Sequence, residues 1–363
     1  MEIPASIEQA IGDAVARRLE TALGDRGLLL TVDGLRAAEA EAALCGVRLR
    51  TRLIHQCYPV SRQGNEALAI EFESERVAAR LDGALAFGAA TARVLVADRR
   101  DREQHAGAAE LLCATFNLGI GLVDSLCDED AETGGALLEL VRAQELAGTA
   151  EEPRGRGWLR ATLPPALAGD PTAAFTVDVI EAFFETLHAV YPGDAWLPLR
   201  RGVGAQLEAA LEAERRSVLP PADSASREQL VEWSRLTSVL PFRIIETLAG
   251  GDHAATEPTA GTQLGEAMWR IDDLVDLCRD ARSGSLNGVL LAAAPAAGRP
   301  GERDPLAALE RVLASADIAG AAIEAAERLL AGLQPAGGGD TAAGRLFLFF
   351  VQRYAGIPPR QAS

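Results

Sequence analysis

Residues 269–280 read Trp-Arg-Ile-Asp-Asp-Leu-Val-Asp-Leu-Cys-Arg-Asp, an apolar segment that carries four aspartates. Asp272, Asp276 and Asp280 are spaced four residues apart, so an α-helix would align them in one stripe. Asp273 lies beside this stripe. Like charges one turn apart repel each other, and burying an unpaired carboxylate is costly. The pattern therefore predicts that something cationic binds to this helix.

A second acidic cluster lies 148 residues earlier in the chain, counted from Asp272 back to Asp124. Asp124 and Asp128 are one helical turn apart and project from one face. A run of charges is usually a solvated face, but residues 116–123 are too apolar for a fully solvated helix. Oxygen ligands without His or Cys at ligand spacing favour a hard cation such as Mg²⁺, which also binds water and phosphate oxygens. Two such helices facing one another would hold a diphosphate through more than one Mg²⁺ ion.

The two clusters resemble the aspartate-rich motifs of the isoprenoid synthase superfamily, which includes trans-prenyltransferases, squalene and phytoene synthases and terpene cyclases. In that family two DDxxD motifs on opposed helices hold Mg²⁺ around a prenyl diphosphate. Ser125 stands in place of the second Asp of the first motif, and Asp280 falls where prenyltransferases continue with another Asp. The segment 276–284 also resembles the DxxxDARxG run of phytoene synthases. The residues that match the two motifs are Asp124 and Asp128 for the first, and Asp272, Asp273 and Asp276 for the second.

Composition independently favours an all-α fold. Ala, Leu, Glu and Arg dominate, and aliphatic residues recur at intervals of three and four. A chain of 363 residues with 48% hydrophobic residues can bury a sizeable core. Pro- and Gly-rich segments, among them 146–172 and 191–204, are predicted loops. The resemblance implies that residues 1–363 form a single isoprenoid synthase helical bundle with a central active-site cavity.

The chemistry that the resemblance implies is ionisation of an allylic diphosphate, in which Mg²⁺ neutralises the diphosphate as it leaves. The implied metal ligands are Asp124, Asp128, Asp272, Asp276 and Asp280, and the implied catalytic set is Asp124, Asp128, Asp272, Asp273 and Asp276. Guanidinium groups near the motifs would complete the anion site, because arginine pairs with phosphate in a bidentate way. The candidates are Arg235, Arg279 and Arg282. For each of them a surface ion pair is the alternative.

The hydrocarbon end of the substrate is expected along the residues that precede Asp124. Ile120 lies one turn before this aspartate and Phe116 two turns before it, roughly 12 Å along the helix axis. Gly119 and Gly121 leave room beside them. We predict that Phe116 forms part of a pocket floor; an ordinary core position is the alternative.

Three more pocket residues are predicted: two lie just before the second motif, and one lies further upstream. Trp269 is predicted on the wall that faces Phe116, where its ring could shield a cation; an ordinary core position is again the alternative. Met268 and Trp269 stand where prenyltransferases carry a Phe-Gln pair. Thr237 matches the threonine of the family's KT-containing helix.

Departures from the family pattern bear on the reaction. All 35 basic residues are arginine, and Leu236 replaces the KT lysine. In the family, such groups bind the allylic diphosphate or isopentenyl diphosphate, and this chain lacks them. A terpene synthase or other specialised prenyl-diphosphate enzyme is therefore favoured. Prenyl transfer to isopentenyl diphosphate or another acceptor is a second hypothesis. A non-catalytic subunit or lipid-binding bundle that kept the fold is a third.

Charge and hydropathy limit the partners. A net charge of −17 disfavours nucleic acid and anionic membrane surfaces. The N-terminal residues lack the pattern of a signal peptide, and no uncharged apolar run of about 18 residues predicts a membrane span. The five cysteines show no disulfide or metal-binding spacing, so a reducing cytoplasm is expected. Dimers are frequent in the family, which makes a homodimer one expectation.

Overall fold

The computed structural model describes residues 3–61, 75–96, 102–129, 131–141, 158–191, 196–218, 225–250, 258–293, 305–315 and 317–360. Regular structure in these ranges is helical, apart from an isolated parallel bridge between Thr31 and Arg360. The prediction of an all-α protein is therefore confirmed for the described part of the chain.

The α-helices are numbered here in chain order. They are α1 Ala5–Gly24, α2 Val32–Ser61, α3 Glu75–Val96, α4 Arg102–Glu129, α5 Ala131–Val141, α6 Pro165–Ala168, α7 Pro171–Val190, α8 Trp196–Val218, α9 Arg227–Leu248, α10 Ala260–Val275, α11 Leu277–Ser283, α12 Gly288–Ala293, α13 Pro305–Ala314, α14 Asp317–Leu333 and α15 Ala342–Tyr354. Short 3₁₀ turns occupy Arg160–Thr162 and Gln334–Ala336.

The chain divides into two compact units. The terminal unit comprises Met1–Arg36, Glu212–Arg243 and Ala255–Ser363. The internal unit comprises Ala37–Leu211 and Ile244–Ala254. Three of the four boundaries fall within α2, α8 and α9, and the fourth lies outside the described residues. The single domain expected over residues 1–363 remains a prediction.

Close helix packing in the terminal unit depends on glycine. A Cβ atom on Gly332 of α14 would lie 2.6 Å from the Leu264 side chain of α10. A Cβ on Gly265 of α10 would lie 2.7 Å from the Cα atom of Val239 in α9. Helix α10, which carries the second acidic motif, therefore packs closely against two other helices.

In the internal unit, α4 packs against α3, α5 and α7. A Cβ on Gly88 of α3 would lie 2.8 Å from the Cα atom of Ala114 in α4, so these two backbones also approach closely. On the α7 side, the rings of Phe116 and Phe183 lie with their centroids 5.6 Å apart. The helix that carries the first acidic motif is thus a core helix of its unit.

The segment Gly107–Leu126 of α4 is long and apolar enough to cross a membrane, with a mean hydropathy of 1.3. Of its most apolar window, 61% is buried inside the structure, and core helices of soluble proteins have the same character. One such helix is weak evidence, and the expectation of no membrane span stays a prediction.

Two of the predicted loops are partly wrong. Residues 196–204 of the expected loop 191–204 belong to α8. Pro198 lies in the first turn of this helix, where a backbone N–H has no intrahelical partner and proline is tolerated. Of the expected loop 146–172, residues 146–157 lie outside the described residues, and the rest contains a 3₁₀ turn, α6 and the start of α7.

Candidate functional site

The second acidic motif spans the junction between α10 and α11. Asp276 lies between the two helices, yet its N–H donates to the Asp272 carbonyl over 2.9 Å. The N–H of Asp280 donates in turn to the Asp276 carbonyl over 2.8 Å. These bonds keep the three aspartates at helical spacing across the junction.

Asp272 and Asp276 converge on the hydroxyl of Tyr354, the last residue of α15. This hydroxyl donates a hydrogen bond to Oδ1 of Asp272, and it lies 3.4 Å from Oδ2 of Asp276. Burial and the adjacent Asp272 carboxylate raise the pKa of the Tyr354 hydroxyl, which keeps it protonated as a donor. The two carboxylates therefore point towards one position.

Asp273 is directed into the protein instead. It is 3% exposed, and its Oδ2 accepts the N–H of Gly288 at the start of α12 over 3.0 Å. Burial raises the pKa of the Asp273 carboxyl well above its ordinary value, although the Gly288 hydrogen bond opposes this effect. A Cβ on Gly288 would lie 2.7 Å from the same Oδ2, so glycine permits this contact.

Asp280 is also largely enclosed, with 7% of its surface exposed. Its Oδ2 accepts a hydrogen bond of 2.9 Å from Nδ2 of Asn287, which donates to the Asp273 carbonyl as well. Oδ1 of the same asparagine accepts the N–H groups of Val289 and Leu290, and so caps α12. Burial raises the pKa of Asp280 to about 6.

The first acidic motif lies at the end of α4, in the internal unit. Asp124 is exposed there, as is Ser125. The side chain of Asp128 lies outside the described part of the structure. Because the second motif belongs to the terminal unit, the opposed arrangement of the two motifs remains a prediction.

Each of the three arginines predicted to bind diphosphate is paired with a carboxylate. Arg235 contacts Glu232 over 2.8 Å and Glu266 over 3.1 Å. Arg279 contacts Asp276 over 2.8 Å, and Arg282 pairs with Glu8 of α1. A diphosphate bound by these groups would have to replace the carboxylates, so the anion site remains a prediction.

A cavity of about 50 Å³ lies in the internal unit, and the unfilled space around it, including its opening to solvent, is about 540 Å³. Three of its lining residues are the predicted pocket residues Phe116, Gly119 and Ile120. Thr115 is the polar member of the lining, and its hydroxyl donates to the Leu111 carbonyl rather than into the space. The full lining is Thr115, Phe116, Gly119, Ile120, Val123, Leu138, Ile180, Phe183, Phe184, Leu207 and Leu211. The cavity is therefore apolar, and the last residue of α4 that lines it is Val123, which precedes Asp124 in the chain.

The other predicted pocket residues, Thr237, Met268 and Trp269, belong to the terminal unit and do not line this cavity. Trp269 is 4% exposed, and its Nε1 donates to the Ser234 hydroxyl over 3.0 Å. The guanidinium of Arg270 lies 3.8 Å from the Trp269 ring centroid. The Trp269 ring thus has the surroundings of a core residue. An ordinary core position was the alternative to a pocket wall in the sequence analysis. Met268 is partly buried, and the Thr237 hydroxyl donates to the Ser234 carbonyl.

Sequence reasoning missed two side chains that hydrogen-bond to the second motif. Tyr354 follows Asp276 by 78 residues, and no local pattern connects them. Asn287 had a usable signal, because it precedes the apolar run 288–291 as an N-cap residue would. That signal indicates a helix start, whereas the contact with Asp280 arises from packing.

Among the described residues, no group of three or more His, Cys, Asp and Glu side chains is placed to hold a metal ion. Asp272 and Asp276 nevertheless suit Mg²⁺ as a donor set, because this ion takes one or two carboxylates and completes its shell with water and phosphate oxygens. Asp273 and Asp280 direct an oxygen to Gly288 and Asn287 instead. The residues of the second motif therefore fit one ion at Asp272 and Asp276.

No protein family model matches the chain, and neither a curated protein nor a solved structure does.

Proposed function

We propose that the protein is a Mg²⁺-dependent enzyme with an isoprenoid synthase fold. It ionises an allylic prenyl diphosphate and releases diphosphate, which gives a terpene or another isoprenoid product. The observation that carries the proposal is the apolar cavity beside α4. Its wall includes Phe116, Gly119, Ile120 and Val123, and Val123 directly precedes Asp124 in the chain. A hydrocarbon chain with an anionic head requires this combination of an apolar space and metal-binding groups.

In this proposal, the aspartates of the two motifs and the residues that line the cavity have separate roles. Asp124 and Asp128 in one motif, and Asp272 and Asp276 in the other, bind Mg²⁺. Bound Mg²⁺ supplies positive charge that stabilises the leaving diphosphate. The cavity residues bind the prenyl chain and exclude water, and the ring faces of Phe116 and Phe183 stabilise a carbocation by cation–π interaction.

Prenyl transfer to isopentenyl diphosphate or to another acceptor is the second candidate reaction, because it uses the same ionisation. One observation favours the third candidate, a non-catalytic subunit. Arg235, Arg279 and Arg282 already pair with carboxylates, so no cationic side chain among these three is committed to a diphosphate.

The test is diphosphate release by the purified full chain with Mg²⁺ and geranyl, farnesyl or geranylgeranyl diphosphate. Each substrate is supplied with and without isopentenyl diphosphate, and products are identified by mass spectrometry. We expect release from an allylic substrate alone. Asp124→Asn and Asp276→Asn should each lower it by about 100-fold or more. Glu310→Gln, which changes an exposed carboxylate on α13, is the matched control and should leave release unchanged.

The outcomes separate the candidates. Release only with isopentenyl diphosphate would replace the proposal with a chain-elongating transferase. No release from any substrate would contradict the proposal and leave two candidates, transfer to another acceptor and the non-catalytic subunit. Equal loss in Glu310→Gln and Asp276→Asn would show that the acidic motif has no special role.

A further inference from the structure

The hydroxyl of Tyr354 occupies the position towards which two carboxylates of the second acidic motif point. It donates to Oδ1 of Asp272 and lies 3.4 Å from Oδ2 of Asp276. These oxygens are the ones through which the two carboxylates would share a cation. A hydroxyl proton and a divalent cation bind to the same lone pairs of a carboxylate oxygen, so they compete.

The fold holds Tyr354 in this place through contacts that do not involve the acidic motif. Gln352, two residues earlier on α15, is 1% exposed, and its Oε1 accepts the Leu30 N–H over 2.7 Å. After the helix, the N–H of Ile357 donates back to the Gln352 carbonyl, and the N–H of Arg360 donates to the Leu30 carbonyl. The end of α15 is therefore anchored on both sides of Tyr354.

The ring itself can leave this place without unfolding the helix. Tyr354 is 42% exposed, which is high for a large side chain in this protein. A rotation about its side-chain bonds would carry the hydroxyl towards solvent and leave the two carboxylates to a cation and its water ligands. The backbone anchors at Gln352 and Ile357 would stay in place.

We propose that Tyr354 competes with a divalent cation for Asp272 and Asp276, and so sets the cation affinity of the second motif. The inference rests on the metal site of the proposed function. In the absence of cation the hydroxyl donates to Asp272 and lies beside Asp276, which also pairs with Arg279 over 2.8 Å. A cation binds only to the fraction of molecules in which the hydroxyl has left, and its apparent affinity is lower by that fraction.

The first test measures Mn²⁺ affinity from the electron paramagnetic resonance signal of free Mn²⁺, with the full chain and no substrate. The site of interest is the one lost in Asp276→Asn. Tyr354→Phe removes the competing hydroxyl and should tighten this site by about tenfold. Tyr191→Phe is the matched control, because its hydroxyl donates to the Leu248 carbonyl in the internal unit. The control should bind Mn²⁺ like the wild type.

Three results would overturn the inference. Unchanged affinity in Tyr354→Phe would show that the hydroxyl does not compete, and weaker binding would show that it positions the carboxylates for the cation. The absence of any site that depends on Asp276 would remove the cation altogether. Equal thermal midpoints of wild type and variant without metal show that both are folded.

A second test uses the wild-type protein and depends on no variant folding. The chain has three tyrosines, so tyrosine labelled with ¹³C at Cζ gives three signals. Tyr354→Phe and Tyr191→Phe assign them. Saturating Mg²⁺ should shift the Tyr354 signal and leave the Tyr191 signal in place; an unshifted Tyr354 signal at saturation would overturn the inference. Since neither test measures diphosphate release, failure of the proposed reaction and failure of this inference are distinguishable.

Discussion

Asp273 and Asp276 are three residues apart, but burial gives them different properties. Asp273 is 3% exposed and accepts a backbone N–H, and burial raises the pKa of its carboxyl well above the ordinary value. Asp276 is ion-paired with Arg279 over 2.8 Å and lies 3.4 Å from the Tyr354 hydroxyl. Within one DDxxD-like motif, Asp276 therefore contacts polar side chains of α11 and α15, whereas Asp273 is buried against the backbone of Gly288.

Replacing Phe116 by alanine should lengthen the preferred prenyl chain. The ring lines the cavity and is 4% exposed, so its removal extends the space away from Asp124. We expect the preferred substrate to shift from a shorter to a longer allylic diphosphate, with a loss of about 3 to 5 kcal/mol in unfolding free energy. Diphosphate release from the three allylic substrates measures the shift.

Phe349→Ala is the matched control for this change. Phe349 is also 4% exposed, but it lies on α15 and does not line the cavity. It should lose similar stability without a change in chain-length preference. An unchanged preference in Phe116→Ala would defeat the assignment of this residue to the pocket.

Asp280 should make the protein less stable as the pH rises from about 4 to 6. Its carboxyl has a pKa of about 6 in the folded state, against an ordinary value of 3.8. Between these values the folded state binds more protons than the unfolded state, so the unfolding free energy falls as pH rises. Asp280→Asn removes this contribution. Relative to wild type, the unfolding free energy of the variant should therefore rise by about 3 kcal/mol across this pH interval. The value follows from about 1.36 kcal/mol for each unit of pKa difference.

Urea unfolding between pH 4 and pH 7, with a chelator present to exclude divalent cations, measures this effect. The difference in unfolding free energy between Asp280→Asn and wild type should rise up to about pH 6 and then level off. A difference that stays constant over the whole range would contradict the assignment of a raised pKa to Asp280.

At the scale of elements, α7 joins two features of the internal unit. One face contributes Ile180, Phe183 and Phe184 to the cavity. Other positions bind the segment before α6: Asp178 contacts Arg160 through both carboxylate oxygens, at 3.0 and 2.9 Å. Glu181 accepts the N–H groups of Leu159 and Arg160.

Asp178→Asn should loosen the segment 158–164. Asp178 is 4% exposed, so the loss of its charge weakens a largely buried pair with Arg160. We expect faster amide hydrogen exchange in this segment and a loss of about 1 to 3 kcal/mol in unfolding free energy. Hydrogen-exchange mass spectrometry and urea unfolding measure the two effects.

Glu212→Gln provides the comparison, because Glu212 forms ion pairs with Arg215 and Arg216 at the surface of α8. Such exposed pairs contribute less than about 1 kcal/mol. If Asp178→Asn left the exchange of residues 158–164 unchanged, the proposed role of the Asp178 pair would be wrong.

The observed helix boundaries show what local sequence patterns can and cannot predict. The spacing of apolar and acidic residues predicted the helix that carries Asp272, and the hydrogen bonds through Asp276 preserve that spacing. The loop expected at 191–204 is partly wrong because a Pro- and Gly-rich composition predicted it, whereas Pro198 lies in the first turn of α8. A proline signal depends on its position in the element, which the sequence does not show directly.

At the scale of the whole molecule, a net charge of −17 should prevent binding to polyanions. We expect no change in fluorescence anisotropy of a labelled DNA duplex, and no retention on anionic vesicles, at low ionic strength. Addition of salt should make no difference, since no contact exists to be screened. Salt-sensitive binding to either probe would show a basic surface that the net charge conceals.

The predicted site residues belong to different units: some lie in the internal unit and others in the terminal unit. Phe116, Gly119 and Ile120 were predicted together because they lie on one helix, and they do line one cavity. Trp269 hydrogen-bonds Ser234 within the terminal unit, and its expected position opposite Phe116 stays a prediction. Partners on one helix follow from periodicity, whereas partners on different helices follow from packing.

Local sequence was enough to establish the helices and the spacing of the aspartates, because helical hydrogen bonds and the 3.6-residue period connect residues that are close in the chain. Only the tertiary structure decided which carboxylates are enclosed and what they contact. Asp280 meets Asn287 and Asp276 meets Tyr354 because separate helices pack together. Burial and pKa depend on that packing, so the different roles of neighbouring aspartates appear only in the folded chain.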